Sequence, residues 1–144
     1  MLQYGFLFLT PAFYQDYSDC PEIVTKQNRP YVQVCVRIND LLFVVPMRSN
    51  IRHEYVLWTN KENGCGLDFS KAVVILDEER YIDSVHKPQI RQNEFNALKG
   101  KDQIVYKKMM QFINQYKKAK ENQHIKQKEQ LCRFSTLQYF EEYL

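Results

Sequence analysis

The run Val45-Pro46-Met47-Arg48-Ser49-Asn50-Ile51-Arg52-His53 closes an apolar stretch and at once gathers two guanidiniums, a hydroxyl, an amide and an imidazole. These groups can grip a phosphate and move protons around it. The planar guanidiniums of Arg48 and Arg52 match phosphate oxygens in a two-pronged contact. Ser49 can hydrogen-bond a nonbridging oxygen and Asn50 can contact the strand beside it. The imidazole of His53 belongs to a group that exchanges protons close to neutrality, so it can serve as acid or base. Cutting RNA without a metal asks for such a set: a base for the 2′-hydroxyl proton, an acid for the leaving oxygen, and cations for the charge gathering on phosphorus. The competing expectation is a solvated loop whose arginines pair with Glu54 or Asp68 and whose histidine caps a turn.

A second cluster lies in Gly64-Cys65-Gly66-Leu67-Asp68-Phe69-Ser70-Lys71-Ala72. Its glycines permit a tight backbone, and Lys71 enters the next strand, where it would contact phosphate or carry a proton. As pure structure, Asp68 would cap the turn and pair with Lys71 or an arginine, while Lys71 snorkels from the sheet edge. Tyr4, Tyr14, Tyr31 and Tyr55 carry rings that could stack on bases, although packing is the commoner task of a tyrosine. Tyr31, which opens a strand behind Arg29-Pro30, is the best placed of them, with Arg29 as a neighbouring RNA contact. Cys20, Cys35, Cys65 and Cys132 are widely separated, with no Cys/His ligand spacing, so neither a zinc site nor a disulfide framework is expected. Asp77-Glu78-Glu79 lacks the partners of a metal site and reads as a solvated turn. His86 and His124 read as surface residues. No metal and no cofactor is expected.

The elements that must position these groups divide the chain in two. Residues 1–86 read as sheet-rich. They show a strand over 2–9 and a short helix opened by Thr10-Pro11. An alternating strand follows at 31–38, then a tight Asn39-Asp40 turn into Leu41–Val45. Further strands are expected at 54–59 and 72–76, and an edge at Tyr81-Ile82. Residues 88–144 read as helical, with helices over 89–98 and from Asp102 to about Lys120. On the second of these, Ile104, Met109, Phe112, Ile113 and Tyr116 form the apolar stripe. A last short helix is capped by Ser135 or Thr136. A chain of 144 residues, 44% apolar and 26% charged, fits one domain around one core. The class is α+β: a small, strongly curved antiparallel sheet or barrel with packed helices.

Charge is distributed unevenly. Residues 1–90 hold nine Lys/Arg against eleven Asp/Glu, whereas residues 91–140 hold eleven against four. Lys107, Lys108, Lys117 and Lys118 lie on the expected long helix. A basic third of this kind is the electrostatic footprint of a phosphate-binding surface, or equally a solvated lysine-rich helix. The apolar N-terminal run is short, without a basic start or a small-residue cleavage site, so no secretion signal is expected. No segment approaches the length that crosses a bilayer.

Arg29-Pro30-Tyr31 leading into a hairpin, the exit Arg48-Ser49-Asn50-Ile51-Arg52-His53, the segment Gly66-Leu67-Asp68-Phe69-Ser70-Lys71-Ala72 and the lysine-rich tail together resemble the toxins of type III toxin–antitoxin systems, the ToxN, CptN and TenpN group. The two central segments look most like the TenpN branch, and the sharp motifs span about residues 29–76. The resemblance implies a bacterial, cytoplasmic, metal-independent endoribonuclease with a fold similar to that of the MazF and Kid toxins. It also implies inhibition by a small pseudoknot RNA antitoxin, which the toxin cuts from a repeat precursor and joins in a hetero-oligomeric RNA–protein assembly. Cellular RNA would be the substrate; neither DNA nor membrane would be a partner. One departure stands out. The ToxN branch places Thr-Ser and then a lysine after the hairpin; here Arg48 stands at the threonine, Ser49 matches the serine, and no lysine follows. Arg52, His53 or Lys71 would have to supply its role. The alternatives are a non-catalytic RNA-binding module and a protein–protein interaction domain.

Overall fold

The computed structural model describes residues 5–25 and 31–144, and two of the expected RNA-facing residues, Tyr4 and Arg29, lie outside them. The strands are β1 (Gly5–Leu7), β2 (Gln33–Ile38), β3 (Leu41–Arg48), β4 (Val56–Asn60), β5 (Cys65–Asp68) and β6 (Val73–Ile75). The helices are α1 (Pro11–Asp16), α2 (Glu78–Tyr81), α3 (Gln92–Leu98), α4 (Asp102–Lys120) and α5 (Lys126–Phe134). The strands form one antiparallel sheet in the order β1-β2-β3-β5-β4, with β6 also paired to β3. This is the expected α+β class.

The β2–β3 hairpin turns on Asn39 and Asp40, at φ 51° and 68°. Both occupy the left-handed region that a two-residue hairpin turn of this hand requires, and Asn and Asp tolerate it without glycine. The alternation read in β2 suggested one wet face, yet Gln33, Val34, Cys35 and Val36 are all buried. β2 is an inner strand between β1 and β3, and α4 packs against it, so its two-residue period reflects residue type and not exposure.

β3 organises the site. It pairs β2 along its length, but its other edge is shared: Leu42–Val44 pair β6 and Met47–Arg48 pair β5. Since Met47 faces Leu67 and Val44 faces Val73, only Val45 and Pro46 stand opposite residues 68–72. Pro46 has no N–H to give to a ladder on that edge. The excess chain bulges out as a 3₁₀ turn, Phe69–Lys71, whose N-cap is Asp68. The sheet therefore breaks beside the end of β3, and the break presents Asp68, Ser70 and Lys71 next to Arg48.

Gly66 is fixed by close approach. A Cβ there would lie 2.5 Å from the Leu57 carbonyl and 2.8 Å from Val56 Cγ2. Gly66→Ala should therefore force β4 away from β5 and cost about 2 kcal/mol or more, as overpacking of a tight site does. A midpoint of urea unfolding equal to that of the wild type would contradict this.

α4 buries Val105, Met109, Phe112, Ile113, Tyr116 and Ala119. Each large apolar side chain so buried contributes roughly 1.5–3 kcal/mol. Ile104, expected in that stripe, is exposed, and Val105 takes its place. Asp102, a residue type suited to capping this helix, is instead its first helical residue. Thr10 does not cap α1 through its side chain; its hydroxyl donates to the Arg80 carbonyl at 2.7 Å. Tyr81 ends α2, leaving only Ile82 bridged to Leu9 where an edge strand was expected. Ser135 caps the last turns by accepting from Leu137 N–H. The sequence reads the whole tail as helical but places no separate helix over 122–134, where α5 forms. α5 buries only Leu131 and Cys132, too short a stripe to register as a period.

Candidate active site

Asp68 is the centre of the constellation. It is fully buried and receives four hydrogen bonds. Oδ1 accepts from Ser70 N–H at 3.0 Å, from Ser70 Oγ at 2.5 Å and from His53 Nε2 at 3.1 Å, while Oδ2 accepts from Arg48 Nη1 at 2.5 Å. Burial alone would push the carboxyl pKa up. The hydrogen bonds from His53 and Ser70 and the Arg48 bond outweigh it, so Asp68 is held below the usual carboxylate range. The expected pairing of Asp68 with an arginine is thus realised with Arg48, and Asp68 also caps its turn. Arg48 Nε is buried without an acceptor among the described residues, which makes the ion pair the chief compensation for sinking that guanidinium.

His53 is held at both ring nitrogens. Nδ1 accepts from the Tyr55 N–H at 3.0 Å, which leaves Nε2 as the protonated nitrogen of the neutral ring, aimed at Asp68. The trio Ser70, His53 and Asp68 is therefore not a nucleophilic triad. Such a triad uses one ring nitrogen for the carboxylate and the other for the serine. Here Nε2 faces both, with Ser70 Oγ 3.3 Å away, and the serine hydroxyl already serves Asp68. Ser70 is buried scaffold.

Lys71 completes the group. It is half-buried, and its ammonium donates to the Phe134 carbonyl at 2.8 Å. Burial pulls its pKa below the ordinary lysine range; Asp68 opposes this and Arg48 adds to it. Arg48, His53 and Lys71, three of the expected catalytic residues, line one cleft of about 620 Å³. Tyr55, Ser70, Gln127, Gln130, Leu131 and Phe134 form much of its remaining wall.

No family model, no curated protein and no solved structure matches this chain.

The other expected residues lie elsewhere. Ser49 lines a second cleft of about 320 Å³, together with Phe8, Met47, Gln89, Arg91 and Glu94. Arg48 is the wall that the two clefts share. Asn50 is exposed at φ 56°, a conformation asparagine adopts more readily than most residues, so it serves the turn that swings Ser49 away from His53. The turn is pinned by Ile51 N–H donating to the Gly64 carbonyl at 3.0 Å. Arg52 is exposed and lines neither cleft. Tyr31 is half-buried and likewise lines neither. Lys107, Lys117 and Lys118 are exposed on α4. Lys108 lines a third cleft with Glu54, Tyr55, Phe69 and Gln115, so Tyr55 links the basic helix to the His53 cleft.

Among the described residues no group of three or more His, Cys, Asp or Glu side chains stands together as ligands. His86 is exposed and bonded to Asp83, and Asp77-Glu78-Glu79 opens α2, with Asp77 as its cap. No helix among the described residues is long and apolar enough to cross a membrane. The sequence missed Phe134, Gln127 and Gln130, because nothing in a polar helix announces that it will close a cleft built far earlier in the chain.

Proposed function

We propose that this protein is a metal-independent endoribonuclease toxin of the type III toxin–antitoxin class, restrained by a pseudoknot RNA that it processes from a repeat precursor. The observation that carries the reading is that one buried carboxylate holds both Arg48 and His53 at the wall of a cleft that Lys71 also lines. The α+β fold with a small antiparallel sheet is of the class the resemblance implies. The 2′-hydroxyl attacks the adjacent phosphorus as it gives up its proton. The P–O5′ bond then breaks, the 5′-oxygen takes a proton, and a 2′,3′-cyclic phosphate and a 5′-hydroxyl remain. Arg48 meets the charge on phosphorus. Lys71, whose burial eases loss of its proton, is the better candidate for proton transfer, and His53 serves it by positioning Asp68 and Arg48. Ser49, across Arg48, touches the neighbouring part of the strand. The α4 lysines hold the antitoxin backbone, so affinity falls steeply with salt.

The engagement of both His53 nitrogens favours one rival, an RNA-binding module without catalysis. Incubating purified protein with repeat precursor RNA in EDTA separates the two. Discrete fragments with cyclic phosphate ends are expected; RNA that is bound but intact leaves only the module.

A further inference from the structure

The cleft beside Arg48 has more apolar wall than a phosphate needs. Tyr55, Leu131 and Phe134 line it, and Phe134 is 54% exposed at the end of α5. A large ring left in water costs solvation free energy unless something covers it. Three further observations indicate the occupant. Arg48 and Lys71 stand in the same wall as Glu54, and Arg48 is already paired with the buried Asp68, so the Lys71 side of the cleft is the part that suits an anion. Gln127 and Gln130 are the uncharged amides of the lining, and an amide offers donor and acceptor side by side, the complement of a base edge. Finally, the Phe134 carbonyl holds the Lys71 ammonium at 2.8 Å, which fixes the aromatic platform relative to the cation.

We propose that this cleft receives one nucleobase of an RNA strand, stacked on Phe134 and Tyr55 and hydrogen-bonded at its edge by Gln127 or Gln130, while the phosphate of the same strand meets Arg48 and Lys71. This rests on the RNA reading above and adds to it a specificity pocket. Arg133 already places its guanidinium 4.8 Å from the Phe134 ring centroid, so a base entering the cleft joins an existing cation–π pair. A base can enter only when it has left its helical stack, so the pocket reads an unpaired nucleotide.

The test uses fluorescein-labelled, 2′-O-methylated RNA oligomers of mixed sequence, which lack the nucleophile, with each nucleotide in turn made abasic. Equilibrium binding is measured to wild type, Phe134→Ala and Phe134→Trp. The Lys71 contact is to backbone, so both variants retain it. Loss of one stacked base predicts about tenfold weaker binding by Phe134→Ala and recovery in Phe134→Trp. The abasic position that weakens wild-type binding should have no further effect on Phe134→Ala. Equal affinity of wild type and Phe134→Ala, or equal abasic losses in both, overturns the pocket. If the wild type cuts RNA in EDTA while binding is indifferent to Phe134, the pocket falls and the nuclease stands. If binding depends on Phe134 but RNA stays intact, the nuclease falls and the pocket stands. If the wild type binds no oligomer at all, both fall.

Discussion

Asp68→Asn should lower the unfolding midpoint by roughly 10 °C at neutral pH and remove most RNA cleavage. The substitution keeps the shape of the side chain and deletes its charge. Asp68 has no exposed surface and answers four donors; an asparagine amide presents an NH₂ to one side of that ring. Breaking a buried ion pair by removing one partner costs about 3–5 kcal/mol, and in a chain of this size each kcal/mol moves the midpoint by roughly 2–4 °C. The effect also has a pH signature. The folded pKa of Asp68 is lowered, so its contribution is fully present above the unfolded value of about 3.9 and is lost as pH falls through the lower folded value. Urea midpoints of wild type and Asp68→Asn should therefore differ most near neutrality and converge in acid below about pH 4. A gap that is the same at both ends would trace the loss to packing and not to charge; no gap at neutral pH would mean that Asp68 is not the anchor of the site.

The residues involved show how far a sequence carries such a site. The hairpin and its exit were legible because Asn39-Asp40 states a turn and the apolar run to Val45 states a strand. The cluster Asp68, Ser70, Lys71 was legible as chemistry but not as geometry. Its placement against Arg48 depends on the ladder break opposite Pro46, which joins residues 45–46 to 68–72 across the sheet. Local pattern carries the period of a strand and not the identity of its neighbour. The same limit separates Ser49 from its expected partners. Within Arg48-Ser49-Asn50-Ile51-Arg52-His53 adjacency suggested a common target, but the left-handed Asn50 and the buried Ile51 divide the run. Arg48 and His53 fall on one side, with Ser49 across Arg48. α5 was illegible for a different reason: two buried residues give a helix its place without giving it a stripe.

Lys71→Met should reduce RNA cleavage by roughly 10²–10³-fold, the scale of losing one group that stabilises a transition state, while leaving stability nearly unchanged. The two expectations come from the same observation. Burial lowers the Lys71 pKa, which means that the folded site disfavours the charge it holds, so removing the ammonium relieves that burden. What is lost is one hydrogen bond to the Phe134 carbonyl, a net term of about 1 kcal/mol; the methionine stem retains the packing. Lys71→Arg then distinguishes the two roles open to this side chain. An arginine supplies positive charge but does not deprotonate in proteins. If Lys71 only neutralises the phosphate, Lys71→Arg should recover much of kcat. If it moves a proton, the arginine variant should bind RNA as well as the wild type and still fail to cut. We expect the second result, since both nitrogens of His53 are already committed. Recovery by arginine, together with a loss confined to His53→Gln, would return the proton to the imidazole and require its ring to swing off Asp68 during the reaction.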